Sequence, residues 1–331
     1  MLLHQLHGWF SEKILPSAAF SGKSLLRKPA RRCRMASVGK MQSLMLAMLA
    51  DLGLPQTMSA GGDHTCAVGT DGHLVCFGRN HDGQCNVPDN LGPVMAVSAA
   101  ASHTCAVKVD GQLVCFGNNH DFQCDVPPNL GPVVAVAVGN HHSCAVQADG
   151  QLVCFGLNKF GQCDVPKALG QVRSVSAGGH HTCAVTADGR LVCFGMEFHG
   201  QCKVPQNVEP VLAVSAGSSH TCALRANGHL VCFGHNKYGQ CDVPDGLGPV
   251  RSFSAGTGYT CAVSTDGRLF CFGRDDQGQC DVPEGAGQIA SVSAAVEHSC
   301  AVRLDGKLAC FGSNNFDQCN VPDNVDMVLA T

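Results

Sequence analysis

His64-Thr-Cys-Ala-Val-Gly-Thr-Asp-Gly-His-Leu-Val-Cys-Phe-Gly78, followed by Gly83-Gln-Cys-Asn-Val-Pro88, decides the fold because it returns six more times. The Cys-Phe-Gly anchors fall at Cys76, Cys115, Cys154, Cys193, Cys232, Cys271 and Cys310, a fixed period of 39 residues. A period of that size marks a solenoid, a propeller or a repeat array. Thr65-Cys-Ala-Val68 and Leu74-Val-Cys-Phe77 are short apolar runs rich in strand formers, joined through Asp71-Gly72, which is the pattern of a β-hairpin. A third run, Val94-Met-Ala-Val-Ser98, leads into the next hairpin. Nothing in the unit is long and periodic enough for a helix, so each unit predicts three short strands and an all-β chain.

The turn sets the hairpin register. With Gly72 left-handed, Gly69 faces His73 and Cys66 faces Cys76. Glycine stands at this point in all seven units (Gly72, Gly111, Gly150, Gly189, Gly228, Gly267, Gly306), as a positive φ requires. The acid before it is Asn227 in one unit, which keeps turn chemistry but not acid–base chemistry. These aspartates are therefore turn residues rather than catalysts.

Three-stranded sheets cannot bury both faces alone and must stack, in a row or in a ring. The ends of the chain favour the ring. Residues 59–331 make seven whole periods, and Met327-Val-Leu-Ala-Thr331 matches the leading strand Pro210-Val-Leu-Ala-Val214. The first unit has the poorer Pro55-Gln-Thr-Met58 there. The expectation is a seven-bladed β-propeller with about three antiparallel strands per blade, closed by the C-terminal segment, because closure removes exposed sheet edges. The Val-Pro of each unit, as in Val87-Pro88, suits a strand end or a link between blades.

The repeat pattern Ala-Gly-x-x-His-Thr-x-Ala-x-x-x-x-Asp-Gly-x-Leu-x-x-Phe-Gly-x-Asn-x-x-Gly-Gln resembles repeats of the regulator of chromosome condensation type over about residues 59–331. Family members usually carry Trp where this chain has Phe77 and its equivalents. The 39-residue unit looks more like the compact bacterial members, such as the propeller-type β-lactamase inhibitor, whose blades have three strands. The resemblance implies a propeller that binds proteins. It also brings two alternatives: nucleotide exchange on a small GTPase, and substrate recruitment in ubiquitin ligation. Light sensing like that of the plant ultraviolet-B receptor is disfavoured, since Trp9 is the only tryptophan and lies outside the repeats.

Residues 1–51 do not share the repeat and form a separate basic extension, leaving 52–331 to the propeller. The extension holds eight Lys/Arg against Glu12 and Asp51, for a charge of +6; the 14 basic and 24 acidic residues that follow give −10. An acidic body disfavours nucleic acid and favours a basic protein partner. The readings open for 1–51 are an organelle-targeting segment, a nuclear basic patch (Arg27-Lys-Pro-Ala-Arg-Arg-Cys-Arg34) and a tail without an address. Leu, Met and Ala in 41–51 favour a short helix there. The apolar run 43–50 is too short to span a bilayer. With no clear secretory signal, the expected location is cytoplasmic or nuclear, with organelle targeting as the alternative.

Of 22 cysteines, 21 occupy three repeat positions and Cys33 stands outside. The hairpin register permits seven bridges: Cys66–Cys76, Cys105–Cys115, Cys144–Cys154, Cys183–Cys193, Cys222–Cys232, Cys261–Cys271 and Cys300–Cys310. The competing reading is buried thiols acting as small apolar residues. The third set, Cys85 to Cys319, has no mate, and so many free thiols are unusual in an oxidising compartment. A zinc site is disfavoured: no Cys-x-x-Cys occurs, and Tyr259 replaces one repeat histidine. No metal or other cofactor is implied. His64, His103, His142, His181, His220 and His298 read as structural, with a ring nitrogen satisfying backbone groups.

Positions that vary between near-identical units are the better guide to function. One runs Asp82, Asp121, Phe160, His199, Tyr238, Gln277, Phe316; its predecessor runs His81, His120, Lys159, Phe198, Lys237, Asp276, Asn315. Another precedes the repeat histidine: Asp63, Ser102, His141, His180, Ser219, Gly258, Glu297. Equivalent propeller loops gather on one face, so these residues would share a surface. Phe160, His199, Tyr238, Phe316, Lys159, Phe198 and Lys237 are the candidate protein-binding residues, since aromatic and cationic anchors are enriched at interfaces; the competing reading is unconstrained solvent-facing loops. No Gly-x-Ser-x-Gly elbow, P-loop or His-Glu-x-x-His helix supports an enzyme.

Overall fold

The computed structural model describes residues 57–323 and 325. Over these residues the chain forms seven three-stranded antiparallel sheets in chain order, the blades of a β-propeller. The first blade comprises Met58–Ala60, His64–Val68 and Leu74–Gly78; the second, Val94–Ala100, His103–Lys108 and Leu113–Gly117. The inner strands of the other five are Val133–Val138, Val172–Ala177, Val211–Ala216, Val250–Ala255 and Ile289–Ala294.

The hairpin has the expected register. Cys66 pairs with Cys76 and His64 with Gly78. Gly69 N–H donates to His73 O at 2.9 Å and Gly72 takes φ +81°, so the glycine supplies the left-handed turn residue. All seven cysteine pairs fall at facing positions of the middle and outer strands, with Cα atoms 4.1 Å apart, and are joined in the structure.

The core lies between blades rather than within them. Cys66, Val68 and Leu74 of blade 1 pack on Val94, Val97 and Ala99 of blade 2. Leu91, carried in by a turn that begins at Pro88, joins that cluster, and Val87 packs against it. The Val-Pro segment therefore closes each blade-to-blade seam. Met58, Ala60 and Ala67 pack in the same way on Ala295, Cys300 and Val302, so blade 7 meets blade 1 and the ring is closed.

The first blade draws its inner strand from Met58–Ala60, paired with Ala67, Cys66 and Thr65, with Thr57 O accepting Val68 N–H. The C-terminal strand expected over 327–331, the helix expected over 41–51 and the basic extension lie outside the described residues. No helix among the described residues is long and apolar enough to cross a membrane.

Polar links repeat the closure at two levels. On the channel side, serine hydroxyls of one inner strand accept a backbone N–H of the next: Ser59 from Ala99, Ser98 from Val138, Ser176 from Ala216, Ser215 from Ala255 and Ser254 from Ala294. Ser293 accepts from Ala60 at 3.0 Å and links blade 7 to blade 1, while the blade 3 strand has Ala137 at this position and lacks the link to blade 4. Deeper in the seams, His64 Nε2 meets Thr104 Oγ1 at 2.9 Å, and His103, His142, His181 and His220 meet Ser143, Thr182, Thr221 and Thr260 in turn. The expectation that these rings satisfy backbone groups is thus corrected. A hydroxyl of the next blade is the partner, since each ring's Nε2 reaches across the seam to it.

The tautomer follows. Thr104 Oγ1 donates its single hydrogen to Gln84 O at 3.0 Å, so it can only accept from His64 Nε2–H. Nδ1 is then bare, buried and unpartnered in His64, His103, His142, His181, His220 and His298. Burial holds all six rings neutral, pushing His64, His103, His142 and His181 down to about 3, and His220 and His298 to about 4. Tyr259 fills the seventh seam, its hydroxyl 2.6 Å from His298 O and 2.9 Å from Ala295 N.

Candidate functional site

Gln84 and its six equivalents sit in the loop after each outer strand and are buried to within 1% exposure, which is rare for glutamine and needs a bonding reason. Their Oε1 atoms supply it. Each accepts the backbone N–H of the residue two before it: Asp82 at 2.9 Å, Asp121 at 2.8 Å, Phe160 at 2.8 Å, His199 at 2.9 Å, Tyr238 at 2.9 Å, Gln277 at 2.8 Å and Phe316 at 2.9 Å. The backbone O of the same glutamine accepts the seam hydroxyl of the next blade. Seven identical mounts therefore carry five kinds of side chain (Asp, Phe, His, Tyr and Gln) on one face, with the backbone of each loop tied down by the same hydrogen bonds.

The third cysteine tightens the same loop. Cys85 Sγ–H donates to Arg79 O at 3.3 Å, and Cys124, Cys163, Cys202, Cys241, Cys280 and Cys319 repeat the contact. Burial pushes the Cys85 thiol up to about 11 and the Cys124 thiol to about 12. At neutral pH these thiols are protonated and serve as hydrogen-bond donors within the loop.

The variable side chains meet from blade to blade. Asn118 Nδ2 donates to Asp82 Oδ1 at 3.1 Å, and His141 Nδ1 lies 3.0 Å from Asp121 Oδ2. His141 and His180 stack at 5.5 Å, Phe160 leans on His180 at 5.2 Å, and Phe198 meets Phe160 edge-on at 6.2 Å. His199 packs on His235 at 4.8 Å, and His235 on Tyr238 at 6.1 Å. Gly258 leaves room for Tyr238, whose Cδ2 would stand 3.3 Å from a Cβ there. Arg274 reaches Asp276 at 2.7 Å and Glu297 at 3.4 Å. Phe316 meets His81 at 6.2 Å and Arg79 at 5.4 Å, returning to blade 1.

The face has two kinds of sector. Blades 3 to 5 present aromatic, histidine and lysine groups, with Lys159 over Phe160 at 5.7 Å and Lys237 over Tyr238 at 5.5 Å. Burial and nearby positive charge hold His180 and His235 below the usual histidine range. Asp63, Asp82 and Asp121 flank this sector on one side, and Asp275, Asp276 and Glu297 on the other.

The structure thus brings Lys159, Phe160, Phe198, His199, Lys237 and Tyr238 into one sector and places Phe316 apart, at the blade 7 to blade 1 seam. Phe198 is 79% exposed, whereas Phe160 is half-buried beneath it. One residue escaped the sequence reading. Phe122 is 67% exposed and adopts φ +62° at the point where five other units have glycine. The signal was present as a phenylalanine in place of the loop glycine. It becomes meaningful only once that position is known to be left-handed, where a bulky residue is strained.

The repeat model for the regulator of chromosome condensation (RCC1) repeat matches seven times, at 56–84, 96–123, 133–162, 172–201, 211–240, 250–279 and 289–318. The chain belongs to this family. Among solved structures it is similar to the ectodomain of the Physcomitrella patens receptor kinase CR4, at 24% identity and a TM-score of 0.66, covering 78% of this chain and 74% of that one. It is also similar to the CRINKLY WD40 ectodomain of the Arabidopsis thaliana receptor kinase ACR4, at 21% identity and a TM-score of 0.63, covering 79% and 98%. The structure of Kap60 bound to yeast RCC1 (Prp20) matches at 18% identity and a TM-score of 0.51, covering 96% and 90%. At these identities the likeness is one of fold. No curated protein matches the chain.

Proposed function

We propose that this protein is a non-enzymatic protein-binding propeller, a scaffold or regulator, whose partner docks on the face formed by the seven variable loops. The observation that carries this reading is the combination of invariant mounts with variable loads. A buried glutamine fixes the backbone of every loop, while the side chain it presents varies around the ring, from Asp82 and Asp121 through Phe160, His199 and Tyr238 to Gln277 and Phe316. Rigid loops lower the ordering cost of association, so side-chain chemistry goes into recognition.

The sectors describe the partner. An apolar or aromatic anchor suits Phe122, Phe160, Phe198 and Tyr238, and basic groups suit the acidic flanks on either side. This agrees with a basic protein partner for an acidic body. That yeast RCC1 is found bound to Kap60 supports a protein partner for this fold.

Affinity capture with the whole chain and with a Phe198→Ser/Tyr238→Ser variant of unchanged melting temperature tests the proposal. A partner held by the first and lost by the second supports it, and an unchanged catch removes the face from consideration. Nucleotide release measured on a panel of small GTPases separates binding from exchange, and only binding is expected.

A further inference from the structure

The central channel is lined by all seven inner strands and encloses about 560 Å³. Six of those strands carry a β-bulge one residue from their start, between Val94 and Ala96, Val133 and Ala135, Val172 and Ser174, Val211 and Ala213, Val250 and Ser252, and Ile289 and Ser291. A bulge re-aims one side chain. At this level Val134, Arg173, Leu212 and Arg251 line the channel, near the mouth opposite the variable-loop face.

Among the described residues, Arg173 and Arg251 are the only charged residues on the wall, which is otherwise mainly alanine, serine, glycine and valine. No carboxylate of the described residues lines it, although the body of the chain carries −10. Among the described residues neither arginine forms a salt bridge. Arg173 Nη2 donates to Val211 O and Arg251 Nη2 to Thr265 O, each using one of five N–H donors. Arg173 Nε is buried without a partner. Leu212, on the strand between them, is 44% exposed to the same space. Further in, Ser176, Ser215 and Ser254 accept backbone N–H groups, which leaves their own hydroxyl hydrogens for another acceptor.

We infer that the channel is a binding site for a small organic or inorganic oxyanion, held between Arg173 and Arg251, with any apolar part lying on Leu212. A pair of guanidinium groups suits a doubly charged anion, either a dicarboxylate or a phosphate, because each fork takes two oxygens. The volume is that of a small-ligand cavity and excludes a folded partner. The site stands apart from the variable-loop face, so it does not depend on the function proposed for that face.

Calorimetric titration of the whole chain at low salt, with succinate and inorganic phosphate as probes in separate runs, tests the inference. One anion per chain is expected, with affinity falling as salt rises. Binding of phosphate alone assigns a phosphate-bearing ligand, and binding of succinate alone a carboxylate. Arg251→Met, at an exposed side chain, is expected to weaken binding ~10-fold or more, and Arg173→Met/Arg251→Met to abolish it. Lys307→Met, which removes an equal charge from the outer edge of the same end, is expected to change little. Melting curves show which variants remain folded, and the Arg251→Met comparison stands should Arg173→Met unfold. The inference is overturned by absence of binding for both anions at 10 mM (a ceiling of about −3 kcal/mol), by binding that survives Arg251→Met, or by an equal loss in Lys307→Met.

Discussion

His298 Nε2 and Thr65 Oγ1 lie 2.9 Å apart across 233 residues of sequence. The same pair of groups links every other histidine seam at a separation of 40. Ring closure in this protein is therefore the ordinary blade-to-blade contact made once between the two ends of the repeat body. Thr65 also donates to Gln318 O at 2.9 Å, tying the first blade to the last loop.

Thr65→Val removes an acceptor for His298 and a donor to Gln318 O, leaving two buried polar groups unsatisfied. A loss of about 2–3 kcal/mol is expected. Thr182→Val makes the same deletion in an internal seam. Urea unfolding should give similar losses for both, while hydrogen exchange should rise at blades 1 and 7 only for Thr65→Val. Unchanged exchange at both end blades would mean that the ring is not held closed by this contact.

Stability should fall steeply in acid. Six buried histidines have folded pKa values of about 3 to 4, against about 6.5 in the unfolded chain. Their contribution is complete above pH 6.5 and is lost as pH falls toward 4, because the unfolded state takes up protons that the folded state refuses. Each histidine adds a slope of about 1.4 kcal/mol per pH unit in that window. His103→Tyr, beside Ser143, copies the Tyr259–Ser299 seam and should reduce the slope by one proton in urea titrations between pH 7.5 and 4.5.

Phe122→Gly should stabilise the fold by about 1 kcal/mol, since φ +62° is strained for phenylalanine and free for glycine. The same change removes an exposed aromatic from the proposed docking face, so partner affinity should fall as the melting temperature rises. A variant that gains neither stability nor loses affinity would show Phe122 to be an idle loop residue.

Thiol titration of the unreduced, denatured chain should find eight groups, Cys33 and the seven loop cysteines, rather than 22. Each hairpin bridge should contribute about 2–3 kcal/mol by loop closure, read as the drop in urea midpoint on reduction. Eight thiols would also place the mature protein in an oxidising compartment, against the cytoplasmic or nuclear expectation. In the native state the loop thiols should alkylate slowly at pH 8, since burial keeps them protonated.

Much of the architecture was legible because the unit repeats. Asp71-Gly72 announced a hairpin, and the facing of Cys66 and Cys76 followed from counting along it. The histidines were recognised as structural but given the wrong partner. A seam contact between residues 40 apart joins two copies of a unit, and no single copy shows it. Gln84 and its equivalents were passed over for the same reason, as their role as mounts needs the loop to be folded.

The sequence alone determined the blade count, the three-strand unit and the hairpin register, because those depend on period, alternation and turn stereochemistry within about 39 residues. The tertiary structure decided which variable side chains share a sector, why Phe122 matters and that Arg173 and Arg251 line one channel. Those relations arise only when identical units are wrapped into a circle, which sets loops from different blades side by side and turns bulge residues from different strands into one channel.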